Sequence, residues 1–187
     1  VYALKVYDIP AGGRIAQGRA LANLLEVKSH ERIDSFVTVR EFDERFIVMA
    51  TKRGIIKKTA LSAYSNPKKG GIKAIILDEG DELIGTRLST GNDEVMLGTK
   101  EGISIRFSEK DLRPMGRVTR GVRGINLREK DEVVGLALIG GKASILTVCQ
   151  NGYGKRTPND AYRITRRGGM GVKNIKTEGR NGPVIGF

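Results

Sequence analysis

The chain has no tryptophan, a single cysteine and a single histidine among its 187 residues. Cys149 alone cannot close an internal disulfide, so a reducing compartment, the cytoplasm, is expected. His30 alone excludes a multi-histidine metal centre and argues against a Ser-His-Asp triad. Cys149 and His30 also fall in different parts of the chain, and nothing pairs them as nucleophile and base. No apolar run approaches the ~18–20 residues of a membrane helix; the longest uncharged one is Val133–Gly141. No signal-peptide pattern opens the chain at Val1-Tyr2-Ala3-Leu4-Lys5. Only Gly18–Val27 offers a stretch that can be read as an amphipathic helix.

What the chain does have is positive charge and glycine. Lys and Arg number 33 against 21 Asp and Glu, a net charge of +12. Such a balance implies a polyanionic partner, nucleic acid first. Glycine, at 25 residues, is roughly twice its usual share, which suits a chain with many tight turns.

Both features recur with a period of about fifty residues. Gly54-Ile55-Ile56-Lys57-Lys58 returns as Gly102-Ile103-Ser104-Ile105-Arg106 and again as Gly152-Tyr153-Gly154-Lys155-Arg156. A second phase runs in step: Gly71-Ile72-Lys73, Gly121-Val122-Arg123, Gly171-Val172-Lys173. A third is Asp81–Gly85, Asp131–Gly135 and Gly182–Gly186. The fourth is Phe46–Met49, Glu94–Leu97 and Ser144–Thr147. Val1–Lys5 opens an earlier, degenerate copy. Agreement of several phases at one period predicts about four repeats, roughly 1–50, 51–99, 100–150 and 151–187. The first and last copies are partial, so the chain is expected to belong to a longer array.

Each repeat reads as β. Ile72–Leu77, Leu83–Leu88, Glu94–Thr99 and Ile103–Phe107 are rich in Ile, Val and Leu, and Gly, Asn and Asp separate them. Thr90-Gly91-Asn92-Asp93 and Gln150-Asn151-Gly152 read as hairpin turns. Four short strands per repeat, taken as a meander, predict an all-β, propeller-like array of four-stranded blades.

The charges follow the repeat. The long connection after the first strand is basic in every copy: Arg14 and Arg19; Lys68 and Lys69; Arg113, Arg117 and Arg120; Arg163, Arg166 and Arg167. Lys73, Arg123 and Lys173 recur in register, as do the strand positions Lys57, Lys58, Arg106, Lys155 and Arg156. The turn before the third strand is acidic or mixed, as in Asp78-Glu79-Gly80-Asp81-Glu82, and reads as turn chemistry rather than a Mg²⁺ cluster. A row of cations at one edge can track duplex phosphates without reading bases. Single-strand binders stack bases on exposed aromatics. With five Tyr and five Phe, and with Phe36, Phe42 and Phe46 read as core, double-stranded DNA fits better. A propeller-like module that meets an acidic protein is the alternative. Gly135–Ala143 has the outline of a P-loop, but its spacing is off by one and its interior is a strand pattern. Tyr64 and Tyr162 hold equivalent positions and read as packing residues.

The strings Gly54–Thr59, Asp81–Gly85, Asp93–Leu97, Thr119–Ile125 and Gln150–Thr157 resemble the family of DNA gyrase A C-terminal domains along essentially the whole chain. The resemblance implies a β-pinwheel, a disc of four-stranded blades that exchange strands, with DNA bent around a basic rim. It also implies a role in ATP-dependent negative supercoiling by a type II topoisomerase, together with the rest of gyrase A and with gyrase B. The catalytic tyrosine, ATP site and Mg²⁺ site would lie outside this chain, which would hold no cofactor of its own. The family's signature heptapeptide, Gln-Arg-Arg-Gly-Gly-Lys-Gly, belongs to its first blade. Here Thr165-Arg166-Arg167-Gly168-Gly169-Met170-Gly171 matches five of those seven residues, but in the last repeat. The related array of topoisomerase IV is shorter and more degenerate.

Overall fold

A computed structural model describes residues 1–28 and 31–187; His30 lies outside the described residues. Its strands are β1 (Phe46–Thr51), β2 (Ile55–Ala60), β3 (Leu83–Ser89), β4 (Glu94–Thr99), β5 (Ile103–Ser108), β6 (Val122–Arg123), β7 (Val133–Ile139), β8 (Ser144–Cys149), β9 (Gly154–Pro158), β10 (Val172–Lys173) and β11 (Val184–Gly186). The described residues contain no α-helix, only short 3-10 turns. Gly18–Val27 is not a helix. Only Leu21–Asn23 forms a single 3-10 turn there, because so short a stretch cannot offset helix nucleation without a partner for its apolar face.

Three antiparallel blades result, with strand orders β3-β1-β2-β6, β10-β5-β4-β7 and β11-β8-β9. Each centres on a hairpin in matching register: Phe46 opposite Ala60, Glu94 opposite Ser108, Ser144 opposite Pro158. The fold is therefore all-β and propeller-like, as the repeat predicts. The Val133–Gly141 run forms β7 and the start of a turn, not a phosphate loop.

The meander expectation is corrected. The second-phase segment leaves its own repeat and joins the blade before it. Val122 and Arg123 pair with Ile56 and Ile55 of β2, and Val172 and Lys173 with Ser104 and Ile103 of β5. Ile72–Leu77 forms no strand in its own repeat. Instead Ile72 exchanges hydrogen bonds with Val1, at 2.7 and 2.9 Å. Gln150–Gly152 does close a hairpin between β8 and β9, but Thr90–Asp93 crosses from one blade to the next. Asp93 rather than a hairpin ladder holds that crossing: its carboxylate accepts from the Thr90 amide at 2.7 Å and hydroxyl at 2.9 Å.

The core lies between blades. Val48, Ala50 and Ile56 of the first blade meet Val95, Leu97, Ile103, Ile105, Phe107, Val133 and Leu136 of the second, with Leu112 and Ile125 from the connecting segments. Burying each such large side chain contributes roughly 1.5–3 kcal/mol. Both faces of β1 and β4 are covered, which is why their sequences run apolar without a break. Tyr64 and Tyr162 are buried, as their packing role requires. The phenylalanines depart from the expectation: Phe36 is 90% exposed and Phe42 46%. The Ser35 hydroxyl beside Phe36 accepts from the Thr86 amide on β3, at the sheet edge opposite β6.

The hairpin glycines show how one blade constrains the next. Gly102 has φ +76°, and a Cβ there would lie 2.3 Å from the Ile175 carbonyl oxygen, which comes from the following repeat. Gly152 has φ +83° and open space around it. Gly152→Ala should therefore cost only the left-handed penalty of roughly 1–2 kcal/mol. Gly102→Ala should cost clearly more, because backbone must also move. Urea midpoints of the two variants check this, and equal shifts would contradict the close approach.

Candidate nucleic-acid interface

Two successive connecting segments dock on the preceding blade in the same way. The Met115 amide donates to the Lys58 carbonyl, and the Thr165 amide to the Arg106 carbonyl, both at 2.8 Å. Pro114 bridges to Lys58 and Ile164 to Arg106. The segments then run the length of the blade edge and end in the exchanged strands β6 and β10. Lys173, at the far end, donates to the Glu101 carbonyl in the β4–β5 turn of the blade it joins. The basic surface is thus a strip along the β6 and β10 edge of the blades.

Most of the cations expected to bind DNA stand on this strip in solvent. Lys68, Lys69 and Lys73 are exposed in one segment, Arg113, Arg120 and Arg123 in the next, and Arg163, Arg166, Arg167 and Lys173 in the third. Arg113, Arg163 and Arg166 have no ion pair or side-chain hydrogen bond among the described residues, so their charge is free to meet an anion. Arg120 pairs with Asp78 of the preceding repeat. Arg167 is fixed by the Asp111 and Arg123 carbonyls, each at 3.1 Å. Arg117 is half-buried. Arg14 and Arg19 are exposed in the first repeat, and Lys155 and Arg156 on β9, where Lys155 also donates to the Asn174 carbonyl.

Three of the expected contacts are corrected. Lys57 and Lys58 are buried at 0% and 4% exposure, out of reach of any phosphate. Lys58 pairs with the buried Glu109 carboxylate at 3.4 Å and donates to its carbonyl at 3.1 Å. Its ammonium also sits 5.0 Å from the Phe46 ring centroid. Arg106 is largely buried and paired with Glu94. It reaches the carbonyls of Asn159 and, at 2.8 Å, Tyr162. The physical reason is the strand exchange. Covering β2 and β5 with the next repeat's segment turns a surface strand into an interior one, and its cations become clamps on carbonyls of that segment.

The partners of these clamps, Glu109 and Asn159, were not singled out by their sequence. They do occupy one repeat position, fifty residues apart. Each also holds its own crossing: Glu109 accepts from the Ser89 hydroxyl at 2.5 Å and the Asp93 amide at 3.1 Å. Asn159 donates to the Gly141 carbonyl at 2.8 Å.

The hairpin-turn end of the blades is held by mixed charge. Asp81 accepts from the Arg53 and Glu82 amides, each at 2.9 Å. Asp131 does the same for Glu101 at 3.0 Å and Glu132 at 2.9 Å, so both carboxylates do turn chemistry. Lys52 lies 4.0 Å from Glu82 and 3.3 Å from Glu132, which Lys100 also holds at 3.0 Å. The Lys100 hydrogen bond, helped by Lys52 and opposed by burial, keeps the Glu132 carboxyl below its ordinary value.

A family model described as "DNA gyrase C-terminal domain, beta-propeller" matches residues 1–30, 45–89, 93–139 and 143–187. The A subunit of DNA gyrase from Salmonella typhimurium is 48% identical over the whole chain, that from Clostridium acetobutylicum 48% and that from Escherichia coli 47%. The chain spans only 21–22% of the length of these relatives. Among solved structures, the C-terminal domain of DNA topoisomerase IV superposes with a TM-score of 0.81 at 26% identity. It covers 89% of this chain and 53% of that one. A DNA gyrase A C-terminal domain gives 0.81 at 23% identity, with 90% and 57% covered, and bears on the fold. A family model that matches four successive segments and identity near one half along the whole length leave one assignment: the chain belongs to the DNA gyrase C-terminal domain family.

Proposed function

We propose that this chain binds double-stranded DNA along its basic strip and bends it, as a non-catalytic wrapping module of a type II topoisomerase. One observation carries the reading: two successive segments dock alike on successive blades and each presents unpartnered cations to solvent. A row of point charges spread over successive blades suits a duplex that bends to follow it. Bending 20–30 bp by 40–90° costs on the order of 1–6 kcal/mol, and contacts spread along several blades can offset that where one flat patch cannot. In the assembled enzyme the module would serve ATP-dependent negative supercoiling, with the rest of gyrase A and with gyrase B as partners and DNA in the cytoplasm as substrate. ATP and Mg²⁺ would act in those other parts. The exposed Phe36 stands near the opposite sheet edge from the strip, which favours duplex over single strands.

The test is binding to random-sequence duplex across a salt series. For ~6 phosphate contacts the log–log slope is about −5, and affinity falls about a thousandfold between 50 and 200 mM salt. Energy transfer between the ends of the same duplex reports bending. A flat salt response, or tight binding to an acidic protein instead, would favour the protein-interaction alternative.

A further inference from the structure

We propose that Lys57, which DNA cannot reach, is a positioning residue for the DNA strip, because its ammonium ties together the two successive segments that carry the exposed cations. The side chain is completely buried on the face of the first blade that holds Met49, its partner across the hairpin. Its ammonium donates to two carbonyls. One is Ala74, directly after Lys73 in the segment of its own repeat; the other is Arg117, in the middle of the next repeat's segment. The two segments meet again one step away, where the Ile76 amide donates to the Thr119 carbonyl at 3.0 Å.

This device is particular to the first blade. The equivalent position in the second is Ile105, part of the apolar core. In the third it is Lys155, which remains exposed and reaches only Asn174. A lysine held under a loop without a counter-ion is costly, and no ion pair among the described residues includes Lys57. On the elements around it Lys58 shares its strand, Tyr64 packs with Met49, Lys73 precedes one of the two carbonyls and Arg117 bears the other, and the carboxylate nearest to them in sequence, Asp78, is paired with Arg120. Burial accordingly lowers its pKa from 10.5 to about 8. A packing role would be served equally well by methionine. Donation to two carbonyls from different repeats is what methionine cannot supply.

The proposal rests on the duplex-binding reading, and its test separates the two. Wild type, Lys57→Met and, should methionine not fold, Lys57→Gln are compared by amide exchange without DNA and by duplex titration over salt and pH. Faster exchange of the 115–120 amides, with β1–β5 protection retained, is expected in the variant. Its salt slope should be shallower by about 1–2. Wild-type affinity should decline as pH rises through about 8, because a neutral amine donates weaker hydrogen bonds, and the variant should lack that decline. Stability moves the other way. Between about pH 8 and 10.5 the unfolded chain keeps the Lys57 proton and the folded chain does not, so the stability penalty of the buried charge is relieved as pH rises. Affinity falling while stability rises is a signature that a merely structural lysine would not give. Unchanged loop exchange, or a variant with the wild-type slope and pH profile, overturns the role of Lys57 even where duplex binding holds. Wild type without salt-dependent duplex binding overturns both.

Discussion

Alanine at Arg113, Arg163 and Arg166 together should lower duplex affinity at 0.1 M salt by roughly 500-fold, while the fold stays intact. Each is exposed on the strip and unpartnered among the described residues. Each phosphate contact contributes about 0.9 to the salt slope, hence about 0.9 log unit at 0.1 M salt relative to 1 M, and three amount to nearly 2.7. The slope should become shallower by about 3, and the loss should be the same on every duplex sequence tested. Thermal stability should change little, because exposed substitutions that break no contact stay within about ±0.5 kcal/mol each. Full affinity in the triple variant would place the DNA elsewhere on the molecule. Arg120 and Arg167 make weaker tests, since the Asp78 and carbonyl contacts already engage them.

The largest effect on stability should come from Glu109→Ala. Glu109 is fully buried and pairs with Lys58, itself 4% exposed. Its removal leaves an ammonium in the interior with no counter-ion, facing the Glu109 backbone carbonyl and the Phe46 ring. Breaking one side of a buried pair typically costs about 3–5 kcal/mol. The Ser89 hydroxyl and Asp93 amide lose their acceptor as well. Because Glu109 follows β5 of the second blade and Lys58 lies in β2 of the first, the damage falls on the seam between blades. Repeat arrays can lose cooperativity at such seams, so the expected result is a lowered midpoint and a broadened or split urea transition. Glu109→Ala with Lys58→Met should recover most of the loss, since both charges are then gone. A double variant as unstable as the single one would show that the carboxylate matters for the Thr90–Asp93 crossing rather than for Lys58.

These two experiments mark the line between what could be read along the chain and what could not. Arg113, Arg163 and Arg166 were legible because they lie in equivalent glycine-containing connections, where long basic side chains default to solvent. Lys57, Lys58 and Arg106 were equally periodic and equally basic, yet they are interior. Periodicity identifies equivalent positions; it does not say which of them a neighbouring repeat will cover. The same limit explains Thr90–Asp93, whose Gly-Asn signal fits a turn whether the strands on either side pair with each other or part company.

The amino-acid sequence by itself determined the period, the all-β character and the excess of positive charge on the connections. All three are local properties, set by alternating apolar residues, by glycines at φ near +80° such as Gly54 and Gly102, and by the count of Lys and Arg. Only the tertiary structure decided which blade receives each exchanged strand, because Val122 could pair with a strand of its own repeat or of the one before by the same backbone hydrogen bonds. Side-chain packing between blades makes that choice, through Phe107, Leu112 and Ile125 in the shared core. The choice then fixes the fate of the charges: cations beneath the exchanged segment become clamps, and those upon it are left in solvent.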